Sequence, residues 1–374
     1  MTKIGIIGAS GFVGNRAVEM LHTGDTEVRP IIRSASSIDR LSRKDLDCRI
    51  ATAFDQSALE SAFQGCDVVI HSILGSPSVI QGSIAPTYKA AQKAGVRRLI
   101  YLSSMIVHRP APAMGTTEDS PLVEHQPYPA HPAKIAAERK LLQMRQTGSV
   151  EVVIFRPGIV FGPRSRWVTD LANQLTQGTA YFIYGGQGIC NSVYIDNLID
   201  AMRRAMKVPA ADGEAFFVGD SEKITWFDFY YPFATALGVD PTQIPNLPAP
   251  IFAHSWKNQV KGTLWDAEIT QRVLSMLPEA LKQSLKQALP GRTKAPLQTT
   301  LSTIEKPEPV VTEMMAELQQ SQYKLPFCKA ERILGYKPVV DFNEGCRRSI
   351  AWLAECSQFH SILADHGKNS FHYH

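Results

Sequence analysis

Short apolar, β-branched runs alternate with helical stretches through the first third of the chain. Ile4–Ile7 reads as a strand, a glycine-rich turn follows, and Arg16–His22 reads as a helix. Strands are expected at Val28–Ile32, Asp67–Ser72, Arg98–Ser103 and Val150–Phe155, with helices at Ala58–Phe63, Tyr88–Ala94 and Ala133–Met144 between them. The strand runs are continuously apolar instead of alternating. That pattern suits strands buried on both faces, so the prediction is an α/β fold with a doubly wound parallel sheet.

The pattern changes from about Asp240. Pro241, Pro245, Pro248 and Pro250 punctuate a loop, Trp256–Ala288 reads as largely helical, and Pro290–Pro309 is polar and rich in Pro and Thr. Regular patterning returns at Val310–Ser321 and continues to about Glu355, before a polar tail that is expected to fray. Four regions follow: 1–240 with interleaved substrate-binding segments at about 163–190, a basic helical insertion at 241–323, a C-terminal segment at 324–358, and a tail at 359–374.

Composition narrows the function class. A chain of 374 residues, 44% hydrophobic and 20% charged, suits one or two globular domains and excludes a disordered chain. A net charge of +4 over that length predicts no nucleic-acid surface. No apolar run approaches the roughly 18 residues of a spanning helix. MTKIGIIGASGFVG breaks its apolar run with glycines, so it reads as structure and not as a targeting segment. The six cysteines form no CxxC pair, so a zinc site has no support and a reduced cytoplasm is expected.

The strongest local signal is Gly8-Ala9-Ser10-Gly11-Phe12-Val13-Gly14, which follows a strand and opens a helix. Glycines there allow a tight turn and let backbone N–H groups approach a pyrophosphate. The GxxGxxG spacing resembles the short-chain dehydrogenase/reductase superfamily, in its extended branch of NAD(P)-dependent epimerases, dehydratases and reductases. Later stretches agree in order: DVVIHS at 67–72, VRRLIYLSSMIVH at 96–108, AKIAAERKLL at 133–142, RPGIVFGPR at 156–164, SVYIDNLIDAM at 192–202 and KAERILGYKPVVDFNEGCRRSIAWL at 329–353. The resemblance implies a Rossmann-like fold, an enzyme and a homodimer. It places Gly8, Ser10, Gly11, Phe12, Val13, Gly14, Ser72, Pro157 and Gly158 against the dinucleotide.

A carboxylate ending the second strand would bind the ribose hydroxyls of NAD. Arg33 stands there, with Arg29, Ser34 and Ser36 nearby, so a 2′-phosphate and NADP(H) are favoured, with NAD(H) as the alternative. Thr52 stands where many relatives carry an acid that binds adenine.

In the family mechanism a serine orients the substrate oxygen, a tyrosine exchanges the proton, and a lysine four residues later binds ribose and lowers the tyrosine pKa. The resemblance assigns the serine to Ser104 and the lysine to Lys134. Four residues before Lys134 stands Ala130, and the nearest tyrosine is Tyr128 in PYPAHPAK. Pro132 suits the first helical turn, which leaves Tyr128 just ahead of the helix. Tyr128, His131, or a site without this proton transfer all remain open.

Arg164 and Arg166 could bind an anionic substrate, since Cys190 occupies the place of the diphosphate arginine of nucleotide-sugar relatives. Asp196 reads equally as a helix cap or a ligand. The expected activity is NADP(H)-dependent hydride transfer at a secondary alcohol or ketone carbon of a small molecule. The rivals are a nucleotide-sugar epimerase or dehydratase with retained cofactor, and a non-catalytic dinucleotide sensor or scaffold.

Between Ser255 and Lys294 seven basic side chains face three acidic ones, an excess equal to that of the whole chain. Leu274, Leu277, Leu281, Leu285 and Leu289 recur at helical steps. Such a stripe could pack on the protein's own core, rest on an anionic membrane surface, or cover the substrate pocket.

Overall fold

A computed structural model describes residues 1–41, 43, 45–252 and 307–367. Met1–Pro250 together with Glu308–His374 form one unit and Ile251–Pro307 another. The basic segment 255–294 and its leucine stripe lie outside the described residues.

In chain order the first unit runs β1 (Thr2–Ile7), α1 (Phe12–Leu21), β2 (Thr26–Ile32), β3 (Arg49–Ile50), α2 (Gln56–Phe63), β4 (Val68–His71), α3 (Pro77–Gly82), α4 (Ile84–Lys93), β5 (Arg98–Leu102), α5 (Ala130–Thr147), β6 (Glu151–Pro157) and β7 (Ile159–Phe161). It continues with α6 (Arg166–Gln177), β8 (Phe182–Ile183), β9 (Ser192–Tyr194), α7 (Ile195–Ala205), β10 (Ala215–Val218), α8 (Trp226–Ala236) and β11 (Asn246–Leu247). After the second unit come α9 (Glu313–Gln319), α10 (Cys328–Leu334), α11 (Phe342–Glu355) and α12 (Ser357–Gly367).

Seven strands form one sheet in the order β10-β6-β5-β4-β1-β2-β3, and every neighbouring pair is parallel. Val68, Val69, Ile70, Leu99, Ile100, Val152, Val153 and Ile154 are all buried, as the continuous apolar runs require. The order reverses between β1 and β4, and such a switch opens a crevice outside the carboxyl ends of the strands. Gly8, Ser72 and Ser104 all lie on that edge.

The C-terminal segment is fastened to the sheet by polar groups. Asn197 Oδ1 accepts the N–H groups of Val339 and Val340, while its amide donates to Asp220 and to the Val340 carbonyl. Asp220 also accepts from Tyr194 N–H and Ser192 Oγ. The carboxylate of Asp196 is a structural anchor: it receives two bonds from Arg16 on α1 (2.7 and 2.8 Å) and one from Arg348 on α11 (3.2 Å).

The predicted tail begins as a helix and not as frayed chain, while residues 368–374 lie outside the described residues. Ser357–Gly367 is helical, and Phe359 and Leu363, one helical turn apart, are buried in the main apolar cluster. All six cysteines are free thiols, and among the described residues no group of three His, Cys, Asp or Glu could hold a metal. No described helix is long and apolar enough to cross a membrane.

Candidate functional site

The glycine loop is shaped by two close approaches. Gly8 has φ +81°, in the left-handed region that favours glycine, and its carbonyl accepts the Gly11 N–H at 2.9 Å. A Cβ on Gly14 would lie 2.2 Å from the Gly8 carbonyl oxygen and 2.8 Å from Ser72 Oγ. Ser72, just past β4, holds the loop from the other side by donating its hydroxyl to the Ile7 carbonyl at 2.8 Å. Among the described residues no side chain caps the start of α1, and Gly11 there is exposed. Backbone N–H groups of Phe12, Val13 and Gly14 at an uncapped helix start, with no acidic side chain in the first turn, fit the pyrophosphate of a dinucleotide.

At the end of β2 the two arginines separate. Arg33 is exposed just beyond Ile32, beside Ser34 and Ser36, whose hydroxyls are 2.9 Å apart. Arg29 is buried and structural: its guanidinium meets Asp47 at 2.8 Å and donates to the Ala62 and Gln64 carbonyls.

The second cluster forms where β5 meets α5. Ser104 is half-buried and starts the turn Met105–His108, its Oγ accepting the Ile106 N–H at 3.4 Å. Lys134 is buried, with Nζ donating to the carbonyls of Leu102 and Ser103 at 3.3 Å each and lying 5.9 Å from the centre of the Tyr101 ring. Burial brings its ammonium down to about 8, against the opposing pull of Glu138. The structure therefore brings Ser104 and Lys134 together.

Tyr128 stands apart from this pattern. It precedes α5, as Pro132 in the first turn predicts, and its buried hydroxyl has no hydrogen-bond partner among the described residues. Burial and the carboxylates of Glu313 and Glu317 push the phenol up, opposite to the direction a proton-exchanging tyrosine needs. His131 is buried against the Tyr128 ring, with centroids 4.8 Å apart, and its Nδ1 is 2.7 Å from Gln126 Oε1. Burial and then Lys134 bring His131 down to about 4.

Sequence reasoning missed the support beneath Lys134. Glu138, one turn along α5, is gripped by the buried Arg156 through both carboxylate oxygens at 2.7–3.2 Å. Arg156 also meets His108 Nε2 at 3.1 Å and donates to the Glu118 carbonyl. Glu138 at four residues past Lys134, and an arginine opening RPG, were the available signals. Pro157 is buried at the end of β6, and a Cβ on Gly158 would lie 1.8 Å from the Asn191 carbonyl oxygen.

The predicted substrate arginines are both exposed. Arg164 is exposed, 3.5 Å from Glu19 on α1, and Arg166 is 90% exposed, 3.5 Å from Asp170. Neither hydrogen-bonds to Ser104 or Lys134. Arg166 borders a cavity of about 370 Å³ lined by Trp167, Tyr181, Trp226, Tyr230 and Met314.

His71, His108 and His131 are all buried and all brought down to about 4, chiefly by burial. Such histidines stay neutral when folded but charge near pH 6.5 when unfolded, so their stability is present above pH 6.5 and lost as pH falls toward 4. Each contributes about 1.4 kcal/mol per pH unit in that window. Asp220, raised to about 6 by burial, works in the opposite sense but is one group against three. Thermal unfolding is expected to show a steep fall in Tm between pH 6.5 and 4.5, and a flat profile there would contradict the neutral assignment.

Comparisons with known proteins agree with this layout. The profile of the NAD dependent epimerase/dehydratase family matches residues 4–219. The decarboxylating sterol-4-alpha-carboxylate 3-dehydrogenase of Schizosaccharomyces pombe is 25% identical over 273 residues, covering 71% of this chain and 68% of its own. The UDP-glucose 4-epimerase of Vibrio cholerae is 27% identical over 279 residues, covering 69% and 81%. The solved UDP-glucose 4-epimerase of Thermotoga maritima with UDP-glucose superposes with a TM-score of 0.65 at 16% identity, covering 95% of this chain and 99% of its own. Because the profile spans more than half of the chain, from the glycine loop through Ser104 and Lys134 to β10, this protein belongs to the NAD dependent epimerase/dehydratase family and is an NAD(P)-dependent oxidoreductase, epimerase or dehydratase.

Proposed function

We propose that this protein is an NADP(H)-dependent oxidoreductase of the extended short-chain type, acting at a secondary alcohol or ketone carbon of a small-molecule substrate. The observation that carries it is Lys134 Nζ at the carbonyls of Leu102 and Ser103, immediately before Ser104. Those groups end β5, two strands from the glycine loop that ends β1, or about 10 Å across the sheet. When bound, the dinucleotide supplies or receives the hydride. Gly8, Ser10, Gly11, Phe12, Val13 and Gly14 would hold its pyrophosphate, Ser72, Pro157 and Gly158 its nicotinamide end, and Lys134 its ribose. Ser104 would orient the substrate oxygen, and the proton would be exchanged within the Tyr128–His131 pair.

The preference for NADP(H) rests on Arg33, a cation at the end of β2 where a carboxylate would serve NAD. Titrating NADPH and NADH in parallel should show tighter NADPH binding, and Arg33→Ala should remove about tenfold or more of that preference. Equal affinities in the wild type would contradict the Arg33 assignment.

The second reading is a nucleotide-sugar epimerase or dehydratase with retained dinucleotide, favoured by the similarity to UDP-glucose 4-epimerases. The test is turnover of a panel of secondary alcohols and ketones. Net conversion of added NADP(H), lowered about 10²–10⁴-fold in Lys134→Met, supports the oxidoreductase. Turnover of a nucleotide sugar without added dinucleotide supports the epimerase. Dinucleotide binding with neither activity would support a sensor.

A further inference from the structure

Ala130 occupies the position from which the family's tyrosine would act, so this chain must supply another proton-exchanging group, given the oxidoreductase reading above. Tyr128 and His131 flank that position. The Tyr128 hydroxyl is buried without a hydrogen bond among the described residues, and the charges acting on it are the carboxylates of Glu313 and Glu317, which oppose a phenolate.

His131 is held more definitely. The Gln126 amide nitrogen donates to the Ile106 carbonyl at 2.9 Å and to the Val123 carbonyl at 2.8 Å. Its oxygen, not its amide, therefore faces His131 Nδ1 at 2.7 Å, and Nδ1 must carry the hydrogen. Nε2 is left with its lone pair. The same contacts place the ring: Ile106 donates its N–H to Ser104 Oγ, and Lys134 follows His131 by three residues on α5. His131 is thus tied on one side to the turn that carries Ser104 and on the other to the helix that carries Lys134.

We infer that His131 Nε2 exchanges the substrate proton and that Gln126 is the positioning residue that fixes its tautomer. In the oxidising direction the substrate O–H bond breaks toward Nε2 and a second carbon–oxygen bond forms. The hydrogen on that carbon leaves with its electron pair to the oxidised nicotinamide dinucleotide, and Nε2 then returns its proton to solvent. The neutral imidazole, maintained by burial and by Lys134, is the form that accepts a proton.

The test combines ¹⁵N NMR of the histidine rings with turnover of secondary alcohols and NADP⁺, using the full chain. The wild type should show His131 with Nδ1 protonated and Nε2 bare, and Gln126→Leu should lose that single tautomer. His131→Gln should lose about 10²–10⁴-fold in kcat/KM with NADPH binding unchanged, a larger loss than that of Tyr128→Phe. An Nε2–H tautomer in the wild type, or a hundredfold loss in Tyr128→Phe with His131→Gln near wild type, would overturn the assignment. Should His131→Gln not fold, the wild-type and Gln126→Leu spectra decide. Should the wild type turn over no alcohol, the oxidoreductase reading fails and the tautomer alone decides the histidine assignment, with Nδ1–H supporting it and Nε2–H overturning it.

Discussion

Replacing Gly14 by alanine is expected to weaken NADPH binding by about a hundredfold or more, roughly 2.7 kcal/mol or above. The added methyl would stand 2.2 Å from the Gly8 carbonyl oxygen and 2.8 Å from Ser72 Oγ. Backbone cannot yield as a flexible side chain does, so the loop must move away from the start of α1. That movement spoils the cradle of N–H groups on which the pyrophosphate would sit. Overpacking at one buried site costs about 1–3 kcal/mol, so the protein should remain folded with a lowered Tm. Gly24→Ala is the control, because no atom of the described residues lies within 4 Å of its added Cβ and NADPH binding should not change. Fluorescence titration of NADPH reads both variants, and wild-type affinity in Gly14→Ala would contradict the cradle.

Arg156→Met should destabilise the fold by about 3–5 kcal/mol. Arg156 is 5% exposed and Glu138 1%, so the substitution leaves a carboxylate buried without its fork of donors. It also removes the N–H groups that meet His108 Nε2 and the Glu118 carbonyl. The freed carboxylate lies one helical turn from Lys134, whose ammonium it already favours, so the lysine should rise from about 8. Arg156→Met combined with Glu138→Leu should recover much of the loss, because neither charge then remains. Denaturant unfolding measures both variants, and a single-variant loss below about 1 kcal/mol would show that the pair is not buried as described.

The sheet and the glycine loop were legible because both depend on local pattern. Strands buried on two faces must be continuously apolar, and a loop crossing its own helix start must lack side chains. Ser104 and Lys134 were reached by resemblance, and their proximity follows from α5 packing on the turn Met105–His108 that Ser104 starts. Tyr128 was not legible, since the carboxylates above it belong to Glu313 and Glu317, far along the chain. Gln126 sits in a proline-flanked loop whose spacing carries no period, so its grip on His131 needed three-dimensional contacts. Arg29 and Arg33 look alike in sequence, yet Arg29 lies within β2 and is paired inward with Asp47. The helical tail had an available signal in Phe359, Ile362 and Leu363, spaced as one helical face.

Net hydride transfer is tested most directly with NADPH carrying deuterium at the transferable C4 position, incubated with a panel of ketones. Mass spectrometry should find one deuterium on the new carbinol carbon of a product alcohol, with one NADP⁺ formed per alcohol. A protein that retains its dinucleotide through purification, interconverts a nucleotide sugar and passes no deuterium to any ketone would contradict the oxidoreductase assignment.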